Sequence, residues 1–398
     1  MKSNIKNSLS ILLNFVIIYF SFEIIKQKTI QSETLVWSTW SYSELLINYP
    51  EKIFVRRGLL GEIFQILANE GPSYKIVQQF VFYNFLVFML LSTSLLVLYG
   101  LKQYQISYFL ISSFGFLNLV SYDLIYHRKE IVVFNLFFIL LLILRLKRIK
   151  LFQFLIILYL SLSTIAIALI HEGMLIIFIP FVYIFLKRSN VFLFRKNLSI
   201  ANYYLGLVSI LIIAVVINKG DPSISVLIFE SLHPFDRSLL ENYSVDGIRA
   251  IGWSLKRGLI LPLRILLSGN AFYWLYIFVL MFFSVYIICI KLSIADYLDY
   301  LKKIHIENPI LALSYTIFLI GWDWGRWFIV IFYLYLFLIA SEKQEIKTDP
   351  EFKQSLWLVI FFIVLSVGTI IPECCLAWTD PKILNNLEKY IGEIKVNY

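Results

Sequence analysis

Charge is scarce in this 398-residue chain: Asp, Glu, Lys and Arg make up only 15% of it, while 60% is hydrophobic. A soluble protein of this length needs far more polar side chains to cover its surface, so a soluble globular domain is excluded. Cysteine is scarce too. Cys289 lies in an apolar run, and Cys374 and Cys375 are adjacent. Neighbouring cysteines rarely bridge each other, and no C-x-x-C spacing occurs, so neither a disulfide framework nor a cysteine metal site is indicated. The chain has no G-x-S-x-G, no H-E-x-x-H and no Walker sequence, and with them go the common hydrolase, zinc-protease and nucleotide-triphosphate signatures. No low-complexity linker interrupts it, so a single domain spanning 1–398 is expected. The net charge of +9 lies largely in short loops between apolar segments. There it sets membrane topology rather than binding nucleic acid.

What the chain has in abundance is long apolar runs. Segments near 8–25, 79–100, 104–121, 128–144, 151–170, 173–186, 201–217, 271–290, 309–322, 326–340 and 356–372 approach the length that crosses about 30 Å of hydrocarbon. The expected fold is all-α, a polytopic transmembrane bundle of about 11 helices in a cell inner membrane. The first run follows Lys2 and Lys6 and ends in Phe22-Glu23-Ile24-Ile25-Lys26. It lacks a small-residue cleavage pattern and reads as a retained helix. The turns Arg145-Leu146-Lys147-Arg148-Ile149-Lys150, Lys187-Arg188 and Arg195-Lys196 are basic. They read as cytoplasmic anchors, which puts the N-terminus inside and the C-terminus outside. Two long outer loops follow, 26–78 and 218–270. Val55-Arg56-Arg57-Gly58-Leu59-Leu60 and Leu255-Lys256-Arg257-Gly258-Leu259-Ile260 echo each other within them, and each fits a helix lying along the membrane surface.

This topology places four polar clusters on one face. His171-Glu172 sits between two apolar runs, where an ionisable pair is costly unless it faces the bundle interior or water. Histidine can carry a proton and a glutamate can act as acid or base. Tyr122-Asp123-Leu124-Ile125-Tyr126-His127-Arg128-Lys129-Glu130 crowds ionisable groups at a helix start. It fits a cationic phosphate pocket, with Glu130 neutralising Arg128 or Lys129, or a plain collar of snorkelling side chains. In Trp322-Asp323-Trp324-Gly325-Arg326-Trp327, Asp323 and Arg326 are three apart and can pair on a helix. The tryptophans suit either an aromatic belt or the stacking of sugar rings. Arg56-Arg57-Gly58 with Glu62 suits a surface helix or a phosphate contact. Loop 218–270 carries Asp221, Glu230, His233, Asp236, Arg237, Glu241 and Asp246, with no metal-ligand spacing. No role is assigned to it or to His305.

Such a face suits a lipid-linked pyrophosphate sugar. Arginines would hold the phosphates, a carboxylate or histidine would deprotonate an acceptor hydroxyl, and aromatic rings would orient sugars. In layout the chain resembles the polytopic enzymes of bacterial surface-polysaccharide assembly: the O-antigen polymerase type and, more broadly, the C-type membrane glycosyltransferases. The resemblance implies a donor carried on polyprenyl phosphate, with Arg56, Arg57, Arg128 and Arg326 as positions that would meet its pyrophosphate. It also implies an essential acidic residue in the first outer loop. That loop offers several glutamates, Glu33, Glu44, Glu51 and Glu62 among them, and no aspartate, so none stands out and the metal-dependent version of that mechanism is not indicated. The acid, base and nucleophile-orienting candidates are His171, Glu172, Asp323 and Glu130. The substrate-holding candidates are Arg56, Arg57, His127, Arg128, Lys129, Trp322, Trp324 and Arg326. No cofactor is expected, and the partners are the bilayer and a lipid-linked glycan. A flippase would place its site near the midplane of broken helices, whereas the helix interiors here are nearly free of charge. A non-catalytic scaffold is the third reading.

Overall fold

The computed structural model describes residues 2–32, 39–122, 125–146, 151–193, 198–217, 222–242, 245–252, 262, 271–289, 294–320, 323–342, 364, 369 and 371. They fold into α1 (Lys2–Thr29), α2 (Thr39–Leu45), α3 (Leu59–Ala68), α4 (Tyr74–Leu98), α5 (Gln103–Ile111), α6 (Phe116–Ser121), α7 (Lys129–Ile143), α8 (Phe152–Ile170), α9 (Glu172–Ser189) and α10 (Ile200–Ile217). Beyond these come α11 (Pro222–Ser231), α12 (Pro234–Asn242), α13 (Asp246–Arg249), α14 (Ala271–Ile288), α15 (Ile294–Glu307), short turns over 309–320, and α16 (Trp324–Ala340). Among the described residues the only strand pairing is a two-residue antiparallel ladder, Phe192–Leu193 against Leu198–Ser199.

Among the described residues, four helices are long and apolar enough to cross a membrane: Ser8–Thr29, Tyr74–Leu98, Phe152–Ile170 and Ala271–Ile288. Their apolar side chains are widely exposed on the outside of the bundle, as at Phe15, Leu90, Leu162 and Phe272. Lipid can cover such surface and water cannot do so cheaply. The expected segment 104–121 is not one helix. It breaks between α5 and α6, where Ser112 is extended and Asn118 Nδ2 donates to the carbonyls of Ile111 and Ser112. The side-chain amide thus satisfies carbonyls that a continuous helix would have used itself. Of the expected segment 309–322, residues 309–320 are described: a 3-10 turn starting at Pro309, which has no N–H to donate, passes into helical turns with right-handed backbone at the joins. The segment 356–372 lies almost wholly outside the described residues.

At the centre runs α16, every residue of which is buried. A helix apolar all round belongs inside a bundle, and α9 and α14 pack against this one. The rings of Phe88, Phe134, Phe138 and Tyr333 interlock beside it, with centroids 5.1–5.8 Å apart. Three helices share a polarity that matters for the site. α7, α9 and α16 begin with Lys129-Glu130, Glu172 and Asp323-to-Arg326, while the chain leaving α7 carries Arg145 and α9 ends in Lys187-Arg188. Fifteen and eighteen residues at 1.5 Å each span about 22 and 27 Å, close to the thickness of a bilayer core.

Candidate functional site

Four sequence-distant clusters meet where these helices start. The turn before α3 contributes Arg56 and Arg57, and the start of α7 contributes Arg128, Lys129 and Glu130. His171 and Glu172 open α9, and Asp323 and Arg326 open α16. The fifth contributor, Glu44 on α2, is the hub. Its carboxylate lies 3.2 Å from Arg128 Nη1, 3.5 Å from Arg57 Nη1, 3.9 Å from Arg326 Nη1 and 4.0 Å from His171 Nε2.

The arrangement has two tiers. In the deep tier Glu130 is fully buried, 3.1 Å from Arg326 Nε and 3.5 Å from His171 Nε2. The expected partners of Glu130, Arg128 and Lys129, are engaged elsewhere: Arg128 on Glu44, and Lys129 Nζ donating to the Arg57 carbonyl at 2.9 Å. Arg326 also pairs with Asp323 at 2.7 Å, the spacing the sequence suggested, and its guanidinium lies 4.4 Å from the Trp327 ring. In the outer tier Arg57 Nε donates to both oxygens of Glu172, at 2.9 and 3.0 Å, and Arg56 Nη1 donates to the same carboxylate at 3.2 Å. Arg56 and Arg57 keep about a fifth of their side-chain surface open (21% and 22%), against 4% for Arg128. They form the accessible rim.

Two physical features follow. Four arginines and a lysine face four carboxylates, so the site carries a positive surplus even with His127 and His171 neutral. The first turns of α7, α9 and α16 and the entry to α3 all point their positive dipole ends at it. Burial by itself would push the Glu44 carboxyl up. The charges of Arg326, His171, Lys129 and Arg128 outweigh it and hold the group well below the usual carboxylate range. Arg57 has a left-handed backbone, φ 68°. A non-glycine residue adopts this at some cost, and here its side chain and its carbonyl are both fixed from other helices.

Trp324 is buried against aromatic rings, 6.0 Å from Trp274 and 5.6 Å from Phe318, rather than against the ion pairs. His127 is buried edge-on to Tyr126, 4.8 Å between centroids. Asp123 and Trp322 lie outside the described residues. Glu62 does not join the arginines; it accepts from the Tyr49 N–H at 3.1 Å. Glu44 was not singled out from the sequence. One signal for it was present: it alone of the loop's glutamates is followed directly by three apolar residues, Leu45-Leu46-Ile47, and they are buried with it. Among the described residues no group of three or more His, Cys, Asp or Glu side chains is placed to hold a metal ion. No family model, curated protein or solved structure matches the chain.

Proposed function

We propose that the protein is a multi-pass glycosyltransferase or polymerase of the cell inner membrane, acting at the non-cytoplasmic face on sugars linked to a polyprenyl pyrophosphate. The observation that carries this is the convergence of Arg56, Arg57, Arg128, Lys129 and Arg326 at the starts of α3, α7, α9 and α16. A surplus of buried cations at helix N-termini is a setting for an anion. The opposite polarity of the helix ends supports the sidedness, because Arg145 just after α7 and Lys187-Arg188 at the end of α9 lie a helix length away, close to a membrane's thickness. About eleven spans, with the N-terminus inside, complete this reading.

In this scheme the rim residues Arg56 and Arg57 receive the pyrophosphate. The acceptor hydroxyl gives its proton to one of the carboxylates or to His171 as its oxygen attacks the anomeric carbon. The anomeric carbon–oxygen bond breaks and its electron pair leaves with the pyrophosphate, where arginines offset the growing charge. Glu172, released from Arg57 by the incoming phosphate, is the acid–base group nearest the rim; Glu44, Glu130 and Asp323 hold the cations in place. The test is a chromosomal deletion complemented with R57A, R128A, E172A or R326A. Expected is loss of long-chain surface polysaccharide, with the lipid-linked precursor accumulating on the outer leaflet. An unchanged polysaccharide profile at normal protein level would overturn the proposal. Precursor trapped on the inner leaflet would point to a flippase instead.

A further inference from the structure

We propose that residues 222–242 and 245–252 act as a clamp that sets the position of Glu44, with Asp236 and Gly247 as its positioning residues. This rests on the transferase reading of the cluster.

The argument begins with the weakness of α2. It has seven residues, and isolated helices shorter than about 12–15 residues do not hold themselves in water. Yet this short piece carries the carboxylate on which Arg57, Arg128, Arg326 and His171 converge. Something else must fix it.

The polar contacts that do so come from nearly two hundred residues away in sequence. Tyr42 OH donates to Asp236 Oδ1 at 2.7 Å, and the Ser73 N–H donates to Asp236 Oδ2 at 2.8 Å. One buried carboxylate therefore ties α2 to the start of α4. The Gly247 N–H donates to Ser43 Oγ at 3.0 Å. At Gly247 the two backbones touch: a Cβ there would sit 2.7 Å from the Glu44 nitrogen and closer still to Ser43 Oγ, so only glycine fits. Just beyond α2, Asn48 Nδ2 donates to Ser231 Oγ at 2.8 Å, and Arg56 Nη2 donates to the Ile251 carbonyl at 3.2 Å.

Ser231, Asp236, Gly247 and Ile251 thus grip α2 and the chain just after it on both sides of Glu44 and also hold one rim arginine. Neither Asp236 nor Gly247 is among the residues of the ion-pair cluster. They act on it through the backbone that presents Glu44. Misplacing a reacting group by about 1 Å can cost about 100-fold in rate, and that is the scale expected when the clamp is opened.

The experiment uses the full chain, purified in lipid nanodiscs, with a polyprenyl-pyrophosphate-linked oligosaccharide as donor and acceptor. D236A and G247A are expected to lower kcat by about 100-fold with KM unchanged. D236N, which keeps an acceptor oxygen, is expected to retain more activity than D236A. In an E44D background D236A should add much less than its single effect, because both act through the same carboxylate. A residue that only stabilises the fold would give additive losses that track protein stability, and that result would overturn the proposal. Should D236A fail to fold, Y42F removes one of the two hydrogen bonds to Asp236, and a wild-type kcat in Y42F and G247A would overturn it equally. E44Q and R128A report on the reading beneath. If they are inactive while D236A and G247A are not, the clamp alone is wrong. If they keep wild-type rates, the transferase reading falls first.

Discussion

Replacing Glu44 with glutamine keeps its shape and removes one charge from the middle of the deep tier. Three arginines then lose a counter-charge at 3.2–3.9 Å. Arg57 retains Glu172, and Arg326 retains Glu130 and Asp323, so the loss falls most heavily on Arg128. Its side chain is only 4% exposed, and water cannot readily replace the missing carboxylate. Breaking a buried pair from one side costs about 3–5 kcal/mol; the surviving partners of Arg57 and Arg326 place E44Q near about 3 kcal/mol. R128M is expected to cost a similar amount. The double variant E44Q/R128M should cost less than the sum, with a coupling of about 2 kcal/mol, because neither charge is then left alone. The assay is unfolding of the purified protein in mixed micelles by SDS titration, followed by tryptophan fluorescence. Acid should not mimic E44Q: the folded carboxyl is held well below the ordinary range. A depressed folded pKa gives stability that is fully present above the unfolded value of about 4.3 and lost as pH falls from there through the folded one, so acidification to about pH 5 leaves it intact. Single variants that each cost under about 0.5 kcal/mol and add without coupling would refute the hub role.

Other consequences can be checked with the same protein. At Gly61 an added Cβ would lie 2.5 Å from the Ile47 carbonyl carbon and 2.7 Å from that of Leu46, so G61A must push α3 off the chain after α2. Its expected cost is about 1–3 kcal/mol, read by the same titration. Arg57→Lys should lose function although charge is conserved, because an ammonium cannot reproduce the planar guanidinium whose Nε meets both Glu172 oxygens while its Nη1 faces Glu44; polysaccharide profiles of the complemented strain check it. Burial raises the Asp236 pKa despite the hydrogen bonds from Ser73 and Tyr42. A folded pKa above the unfolded one gives stability that is fully present below about 3.9 and lost as pH rises through the folded value. Wild type should therefore gain stability on mild acidification, and D236N should lose that slope. Inorganic pyrophosphate at 100 times its dissociation constant should stabilise the wild type by about 2.7 kcal/mol and R57A/R326A not at all; equal shifts in both would locate the binding elsewhere.

Much of this site was legible before any coordinates, for a physical reason. Ionisable residues at the edges of apolar runs are costly in a membrane, so Arg56-Arg57, Arg128-Lys129-Glu130, His171-Glu172 and Asp323–Arg326 each stand out against their surroundings. Their meeting is geometric: helices that run parallel bring their starts to one end of the bundle. The partners within the cluster were not legible, because pairing across helices depends on rotation and tilt. Glu130 therefore faces His171 and Arg326 rather than its neighbours in sequence. Glu44 was harder still. It lies on a helix too short to give a periodic signal, and its burial depends on Asp236 and Gly247 far along the chain. Trp324 shows the converse: its sequence neighbourhood suggested a sugar platform, but its ring turns into the aromatic packing around Trp274 and Phe318. The break at 112–115 was missed because apolar composition says how long a segment is, not whether its backbone is continuous.

The signs of the charges bear on whether the cluster is structural. A helix start favours carboxylates, since its unpaired N–H groups carry partial positive charge. Glu130 and Glu172 obey that preference. Arg128 and Lys129 at the start of α7, and Arg326 in the first turn of α16, oppose it. A bundle that needed only to close its helix ends would place acids or small capping residues there. It would also be at least as stable with apolar side chains in the deep tier, because buried ion pairs seldom outperform well-packed hydrophobic ones. The chain instead gathers cations at the ends least suited to them and adds Glu44 from a clamped helix to keep them together. Those choices lower stability when the site is considered alone. They become favourable when an anion is brought to the rim at Arg56 and Arg57, because it meets the surplus charge and the helix dipoles together. A pyrophosphate is such an anion, which is why the charge pattern favours a binding site over a scaffold.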